Sequence, residues 1–318
     1  MTLPLRPPVD PQLALSRKEL PEGEEWVYEP KWDGFRVIGF VDGSDVFLQS
    51  RNGRPLARYF PELSLPFGRY VFDAEVVVLD GAGREDFDAL QNRMHPAESR
   101  VRLLAEATPA TLKAFDLLAE GRSKLIRRAF EDRRASLGAL IEGFDDPGSL
   151  EVTPLLRAAN EARPLLASGE GVIAKRLDAP YLPGERKGMV KVKRVRTLDC
   201  VVVGWRPGKE EGTVGSLILG LYEPGGELRV VGHTSSFRAK EKRELRAKLS
   251  AYETGERGSG DPSRWSHDRD LEWASVRPEL VVEVSFDHVS SGRIRHGAKL
   301  LRWREDKDPR DCTFDQLR

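Results

Sequence analysis

Cysteine is nearly missing from this chain: Cys200 and Cys312 are the two present in 318 residues. They stand far apart and in no metal-ligand spacing. A disulfide framework and a cysteine zinc finger are therefore excluded, and a reducing cytoplasm is the expected setting. Net charge is lacking as well. The 51 basic and 51 acidic residues cancel, so the chain carries no overall field and any polyanion must be met by local patches. Long apolar runs are absent. The start, MTLPLRPPVDPQ, has none of signal-peptide length, and nothing later approaches the roughly 20 apolar residues of a membrane span. A soluble, cytoplasmic protein with no membrane partner is expected. Internal repeats and low-complexity tracts are missing too.

What is present is a chain 39% hydrophobic and 32% charged, long enough for two ordinary domains with separate cores. The proline-rich start reads as an extended arm, because proline fixes φ and removes donors. Strand patterns follow at residues 26–29, 35–41, 45–49 and 70–79, then at 110–115, 171–175 and 189–193. Helical periodicity fits 87–93 and 123–141. This mixture predicts an α+β domain with mostly antiparallel sheets ending near Arg194. After Thr197 the pattern changes to strands at 200–205, 216–221, 228–233, 280–286 and 295–302, with an amphipathic helix at 239–252. That count fits a small barrel of the oligonucleotide-binding (OB) type. The division expected is 1–195 and 196–318, with a hinge at 195–198.

The segment Glu29-Pro30-Lys31-Trp32-Asp33-Gly34-Phe35-Arg36 puts a lysine on a turn between strands. Pro30 favours the turn and Gly34 supplies backbone freedom. A lysine is nucleophilic only when partly neutral, so its ordinary pKa of about 10.4 must be lowered by burial or nearby cations such as Arg36. Taken alone, the pattern is more often a plain surface turn, since four-residue patterns arise by accident. Other motifs then appear in order: Ser50-Arg51-Asn52-Gly53, Phe72-Asp73-Ala74-Glu75, Ala114-Phe115-Asp116, Glu170-Gly171-Val172-Ile173-Ala174-Lys175, Val190-Lys191-Val192-Lys193 and Arg304-Glu305-Asp306-Lys307. In the last strand, alternation sends both lysines to one face and both valines to the core.

This series resembles the motifs of the covalent nucleotidyltransferases, which comprise ATP-dependent DNA ligases, RNA ligases and capping enzymes, and it covers nearly the whole chain. The resemblance implies an adenylation domain followed by an OB-fold domain, with Lys31 as the nucleophile that becomes lysyl-adenylate. It further implies that Glu29 accepts a hydrogen bond from the adenine amino group, that Arg36 and Arg51 contact ribose and phosphate, that Glu75 holds a ribose hydroxyl and that Phe115 stacks on adenine. Lys191 and Lys193 would meet one phosphate. Glu170 is the leading ligand for Mg²⁺ or Mn²⁺, with Glu75 assisting, while Asp73 reads equally well as structural. Arg304 and Lys307 would close over pyrophosphate. Many ligases carry an aromatic residue where this chain has Met189, which fills similar apolar space.

The runs RKGMVKVKRVR (186–196) and RIRHGAKLLRWR (293–304) contain no acid and flank two of these motifs, which suits phosphate contact with little sequence preference. His95, His233, His267, His288 and His296 stand in no metal-ligand spacing and read as structural or DNA-facing. The tail VEVSFDHVSSGRIRHGAKLLRWREDKDPRDCT resembles the small bacterial ATP-dependent ligases of end joining and repair. The reading is therefore a monomeric, ATP-dependent DNA ligase acting on nicked or broken duplexes, with a bacterial Ku-type end-binding partner implied by family analogy. An RNA ligase or capping-type enzyme, and a non-catalytic DNA-binding module, are the alternatives.

Overall fold

Alternating apolar residues along Phe35–Gly43 and Gly68–Val78 give each strand two buried faces. In the computed structural model, Val37, Phe72, Ala74 and Val76 point to one side and pack with Leu90 and Leu137. Ile38, Phe40 and Val71 point to the other, against Leu3 and Tyr181. The structure describes residues 2–194, 196–259, 272–287, 289–290, 292–294 and 297–317. It divides into two compact units, Met1–Arg194 and Val195–Arg318.

In the first unit, a six-stranded sheet runs in the order Asp45–Ser50, Phe35–Gly43, Gly68–Val78, Ala110–Glu120, Ser123–Lys124, with Leu150–Val152 added parallel to Ala110–Glu120. A second sheet of four strands has the order Leu15–Arg17, Met189–Lys193, Gly171–Arg176, Trp26–Pro30. Its pairings are antiparallel except the first, where the arm lies parallel to Met189–Lys193. One face of this sheet, built from Tyr28, Val172, Ala174, Val190 and Val192, packs on the helix Ala159–Ser168 through Ala162 and Leu165. The period of two then turns Glu29, Ile173, Lys175 and Lys191 to the opposite face.

The helix expected at 123–141 begins only at Phe130 and runs to Glu142. Its first residues are captured by the sheet instead. Ser123–Lys124 pair with Ala119 and Glu120, Leu125 N–H bonds the Leu118 carbonyl at 2.8 Å, and the Leu125 side chain is buried. Tertiary pairing thus outweighs helix propensity here. The helix Phe87–Asn92 begins where Asp86 accepts the Ala89 N–H at 2.8 Å, an ordinary N-cap.

The second unit is built around Arg196–Pro207, which pairs with Val214–Tyr222 on one edge and with Val281–Phe286 and Glu272–Val276 on the other. Register shifts at Val202/Gly204 and Arg206/Pro207 bend it so that it serves both partners. Leu228–Thr234 extends one end of the path and Lys299–Trp303 the other. A parallel bridge between Thr234 and Ala298 joins those ends, which closes a five-stranded barrel of the OB type. The helix Ala239–Ser250 presents Leu245 and Leu249, one turn apart, to the barrel core; burying each contributes about 1.5–3 kcal/mol. Of the hinge expected at 195–198, Val195 lies outside the described residues. Arg196, Thr197 and Leu198 already pair with Phe286, Ser285 and Val284, so they are strand rather than hinge. Arg295, His267, His288 and His296 also lie outside the described residues. No described helix is long and apolar enough to cross a membrane.

Candidate active site

A cavity of about 270 Å³ in the first unit is lined from both sheets. Glu29, Ile173, Lys175, Met189 and Lys191 come from the four-stranded sheet, and Arg36, Glu75 and Phe115 from the larger one. The turn residues Lys31, Trp32, Asp33 and Gly34, together with Arg51, Arg186 and the arm residues 11–14, complete the wall. Seven of the residues proposed from the sequence therefore meet in one place: Glu29, Lys31, Arg36, Arg51, Glu75, Phe115 and Lys191.

The lysine turn is held by two close backbone approaches. Lys31 N–H donates to the Gly171 carbonyl at 3.0 Å. Gly171 has φ +137°, and a Cβ there would stand 2.3 Å from the Val192 carbonyl oxygen, so glycine is required where these backbones meet. Gly34 serves differently from the expected backbone freedom. Its φ is not in the left-handed region, but a Cβ would lie 2.2 Å from the Val76 carbonyl oxygen. The turn needs a residue with no side chain to pass over the larger sheet.

Positive charge converges on the cavity. Burial pulls the Lys191 amine below its ordinary range, and the charges of Lys193, Lys31, Arg51 and Arg186 pull it the same way. Burial pushes the Glu75 carboxyl up to about 7, against the attraction of Arg36 and Lys31. Lys193 shares the Lys191 face but does not line the cavity. Val190 and Val192, which alternate with them, are buried.

Arg36 is anchored rather than free. Its Nε lies 2.5 Å from Asp73 Oδ1 and its Nη2 2.7 Å from Oδ2. Asp73 is fully buried and also accepts the Tyr181 hydroxyl at 2.6 Å. Burial works against the Arg36 charge, but Asp73 more than offsets it, so the guanidinium titrates above its ordinary range. Asp73 is therefore a structural anchor for a cavity cation. The hydroxyl of Tyr181 in turn accepts the Gln12 N–H at 3.0 Å, tying the arm into the same network. Phe115 is 7% exposed, with the Arg36 guanidinium and the Lys175 amine each 4.4 Å from its ring centre.

Glu29 is 2% exposed. Its Oε2 lies 2.7 Å from Lys175 Nζ, and its Oε1 is buried with no hydrogen-bond partner. Burial pushes this carboxyl up and the Lys175 amine down, each against the attraction of the other.

Three proposed residues stand elsewhere. The Glu170 side chain is not among those lining the cavity; its charge, after burial, helps push the Glu85 carboxyl up, as does that of Asp33. Arg304 and Lys307 belong to the second unit. There Arg304 Nη1 meets both Asp199 oxygens at 2.9 Å, its Nη2 meets Asp306 at 2.9 Å, and Lys307 lies 3.4 Å from Asp199.

A cavity rich in cations, lined by a glutamate with one carboxylate oxygen free of hydrogen bonds and by a lysine on a rigid turn, suits a nucleotide. Comparison with known proteins decides the family. The family model described as the ATP dependent DNA ligase domain matches residues 11–193, and that of the ATP dependent DNA ligase C terminal region matches 210–307. The chain belongs to the ATP-dependent DNA ligases. It is 46% identical over 337 residues to DNA ligase C1 of Mycolicibacterium smegmatis, covering 100% of this chain and 96% of that protein. It is 43% identical over 347 residues to DNA ligase C of Mycobacterium tuberculosis, with the same two coverages. The structure of the ligase domain of M. tuberculosis LigD matches with a TM-score of 0.53 and 31% identity, over 96% of this chain and 98% of that one.

As a ligase of this family the protein uses ATP and a divalent metal. Among the described residues no group of three or more His, Cys, Asp and Glu side chains is placed to hold a metal. Asp33 and Glu75 line the cavity, and Mg²⁺ takes one or two carboxylates and completes its shell with phosphate oxygens and water. The sequence reading quoted Lys175 in a motif and Arg186 in a basic run without giving either a place in this cavity, and it missed the arm residues 11–14. Lys175 had a signal, since it alternates with Val172 and Ala174 at the end of a quoted motif. The arm residues 11–14 had none, because they lie outside any helix or strand and so carry no side-chain period.

Proposed function

We propose that Lys31 is the nucleophile of this ligase and that residues 1–195, one position beyond the first compact unit, carry out nucleotidyl transfer, with 196–318 as the OB partner. The observation that carries this reading is the set of cations around Lys31. Lys191, Arg51 and Arg186 line the same cavity as Lys31, and the charges of Lys31, Arg51 and Arg186 all bear on Lys191. They attract a triphosphate and are placed to stabilise the charge that develops on it.

In the first step the Lys31 Nζ lone pair attacks the α-phosphorus of ATP, forming an N–P bond while the bond to pyrophosphate breaks. Lys191 and Lys193 neutralise charge on the equatorial oxygens. Glu29 Oε1 accepts from the adenine amino group, Phe115 packs on the base, Glu75 orients a ribose hydroxyl, and Arg36 and Arg51 hold ribose and phosphate. Arg304 and Lys307 bind the departing pyrophosphate. A divalent metal, held by Glu170 with help from Glu75, supplies further positive charge to the phosphate oxygens when bound. The adenylate then passes to the 5′-phosphate of a DNA break, and the 3′-hydroxyl attacks that activated phosphate, releasing AMP. By family analogy the ligase serves break repair in the cytoplasm as a monomer, alongside an end-binding partner of the Ku type.

Incubation of Lys31→Ala with α-labelled ATP and Mg²⁺ should give no labelled protein, whereas the natural chain gains one adenylate by mass spectrometry. Labelling of a lysine in the variant would refute the assignment.

A further inference from the structure

Lys175 has no role in the steps above, yet it is 5% exposed and held on several sides. Its Nζ lies 2.7 Å from Glu29 Oε2, 3.4 Å from the Phe115 carbonyl oxygen, 4.4 Å from the Phe115 ring centre and 4.6 Å from that of Phe130. An ammonium so enclosed is directed at Glu29 rather than at a phosphate. Among the described residues, Glu29 Oε1 is the one buried side-chain carboxylate oxygen without a hydrogen-bond partner. Arg134 Nε, at 3.7 Å, is too far to bond it, and Arg134 does not line the cavity.

We infer that Lys175 is the positioning residue that sets nucleobase selectivity: by binding Oε2 it keeps Glu29 ionised and leaves Oε1 without a hydrogen bond, a pure acceptor for the base. The inference rests on the reading in which Glu29 meets the base.

The chemistry is a matter of donors and acceptors. An ionised carboxylate accepts only, so it matches the 6-amino group of adenine and opposes a 6-oxo purine, whose oxygen also accepts. A neutral carboxyl has one O–H to donate and matches the 6-oxo group. At 2% exposure the charged form of Glu29 is sustained by a cation at contact distance. Burial and the negative charge of Asp116 press it toward the neutral form, and Lys175 and Arg134 oppose them. Without the nearer cation, Glu29 takes up a proton and its hydrogen-bonding sense reverses.

The test compares ATP with inosine triphosphate in the formation of the protein–nucleotide adduct, followed by mass spectrometry. The natural chain should prefer ATP strongly. Lys175→Met should reduce that preference by at least about ten-fold, mostly through KM, as expected when a polar contact is mismatched. Lys175→Arg, which keeps a cation, should retain most of the preference. Lys175→Gln is measured alongside in case the apolar variant folds poorly, and thermal unfolding identifies the folded proteins. An unchanged ATP preference in a folded Met or Gln variant overturns the inference. Glu29→Gln separates the two layers. If it alters the preference while the Lys175 variants do not, Glu29 reads the base but Lys175 does not govern it. If neither alters it, the reading of Glu29 fails and carries the inference down with it.

Discussion

Replacing Asp73 by asparagine keeps the shape of the side chain and removes its charge. In the native arrangement Oδ1 accepts from Arg36 Nε, while Oδ2 accepts from Arg36 Nη2 and from Tyr181. Asparagine has one carbonyl oxygen. Turned to keep the two bonds at the Oδ2 position, it sets its amide NH₂ against Arg36 Nε–H, donor against donor. A lost hydrogen bond to a charged group accounts for about 1.5–3 kcal/mol. Removing one member of a fully buried ion pair typically destabilises by about 3–5 kcal/mol. The Arg36 side chain is 22% exposed and Glu75 faces it in register across the strands, so water and a second carboxylate soften that figure. We expect about 3 kcal/mol, which for a unit of this size lowers its melting temperature by about 6–12 °C. Calorimetry measures this directly, and adenylation kinetics should show a raised KM for ATP because Arg36 is no longer aimed. A fall of less than about 2 °C with unchanged kinetics would refute the argument that Asp73 orders the cavity.

Gly171→Ala should destabilise by about 2 kcal/mol or more and lose most adenylation, since the new Cβ meets the Val192 carbonyl oxygen at 2.3 Å and displaces the carbonyl that holds Lys31; labelled-adenylate assays and thermal unfolding check both. Asp199→Asn frees Arg304 and Lys307 from their shared carboxylate; if they serve pyrophosphate departure, adenylate formation slows while sealing of a pre-adenylated nick proceeds at nearly the natural rate. Chelation with EDTA should abolish adduct formation, and Mg²⁺ or Mn²⁺ in excess should restore it.

Where a side-chain pattern is set by burial, it was legible in advance. The strand Met189–Lys193 appears at its expected limits because valines and lysines alternate, and the barrel strands appear because their inward positions are apolar. The helix Ala159–Ser168 escaped notice because Pro164 stands within it and removes a donor from its interior. Glu98–Ala107 also went unread; it packs by few buried residues, Val101 and Ala105. The strands Glu253–Ser259 and Glu272–Val276 were missed too, the first having almost no buried side chain to mark it. In the site, residue types announced the cavity, but partnership did not. No spacing rule indicates that Lys175 faces Glu29 across two strands, or that Asp73 belongs to Arg36, because both pairings depend on the register of chains remote in sequence.

The arm has a consequence for how the enzyme comes into being. Leu15, Ser16 and Arg17 pair with Val190, Lys191 and Val192, so these residues wait for nearly the last of the first unit before they find their place. During synthesis the nucleotide chamber stays without one wall until that late strand emerges, and its closure is a long-range event of the slow kind. A nascent ligase therefore has no finished pocket for ATP while its fold is incomplete.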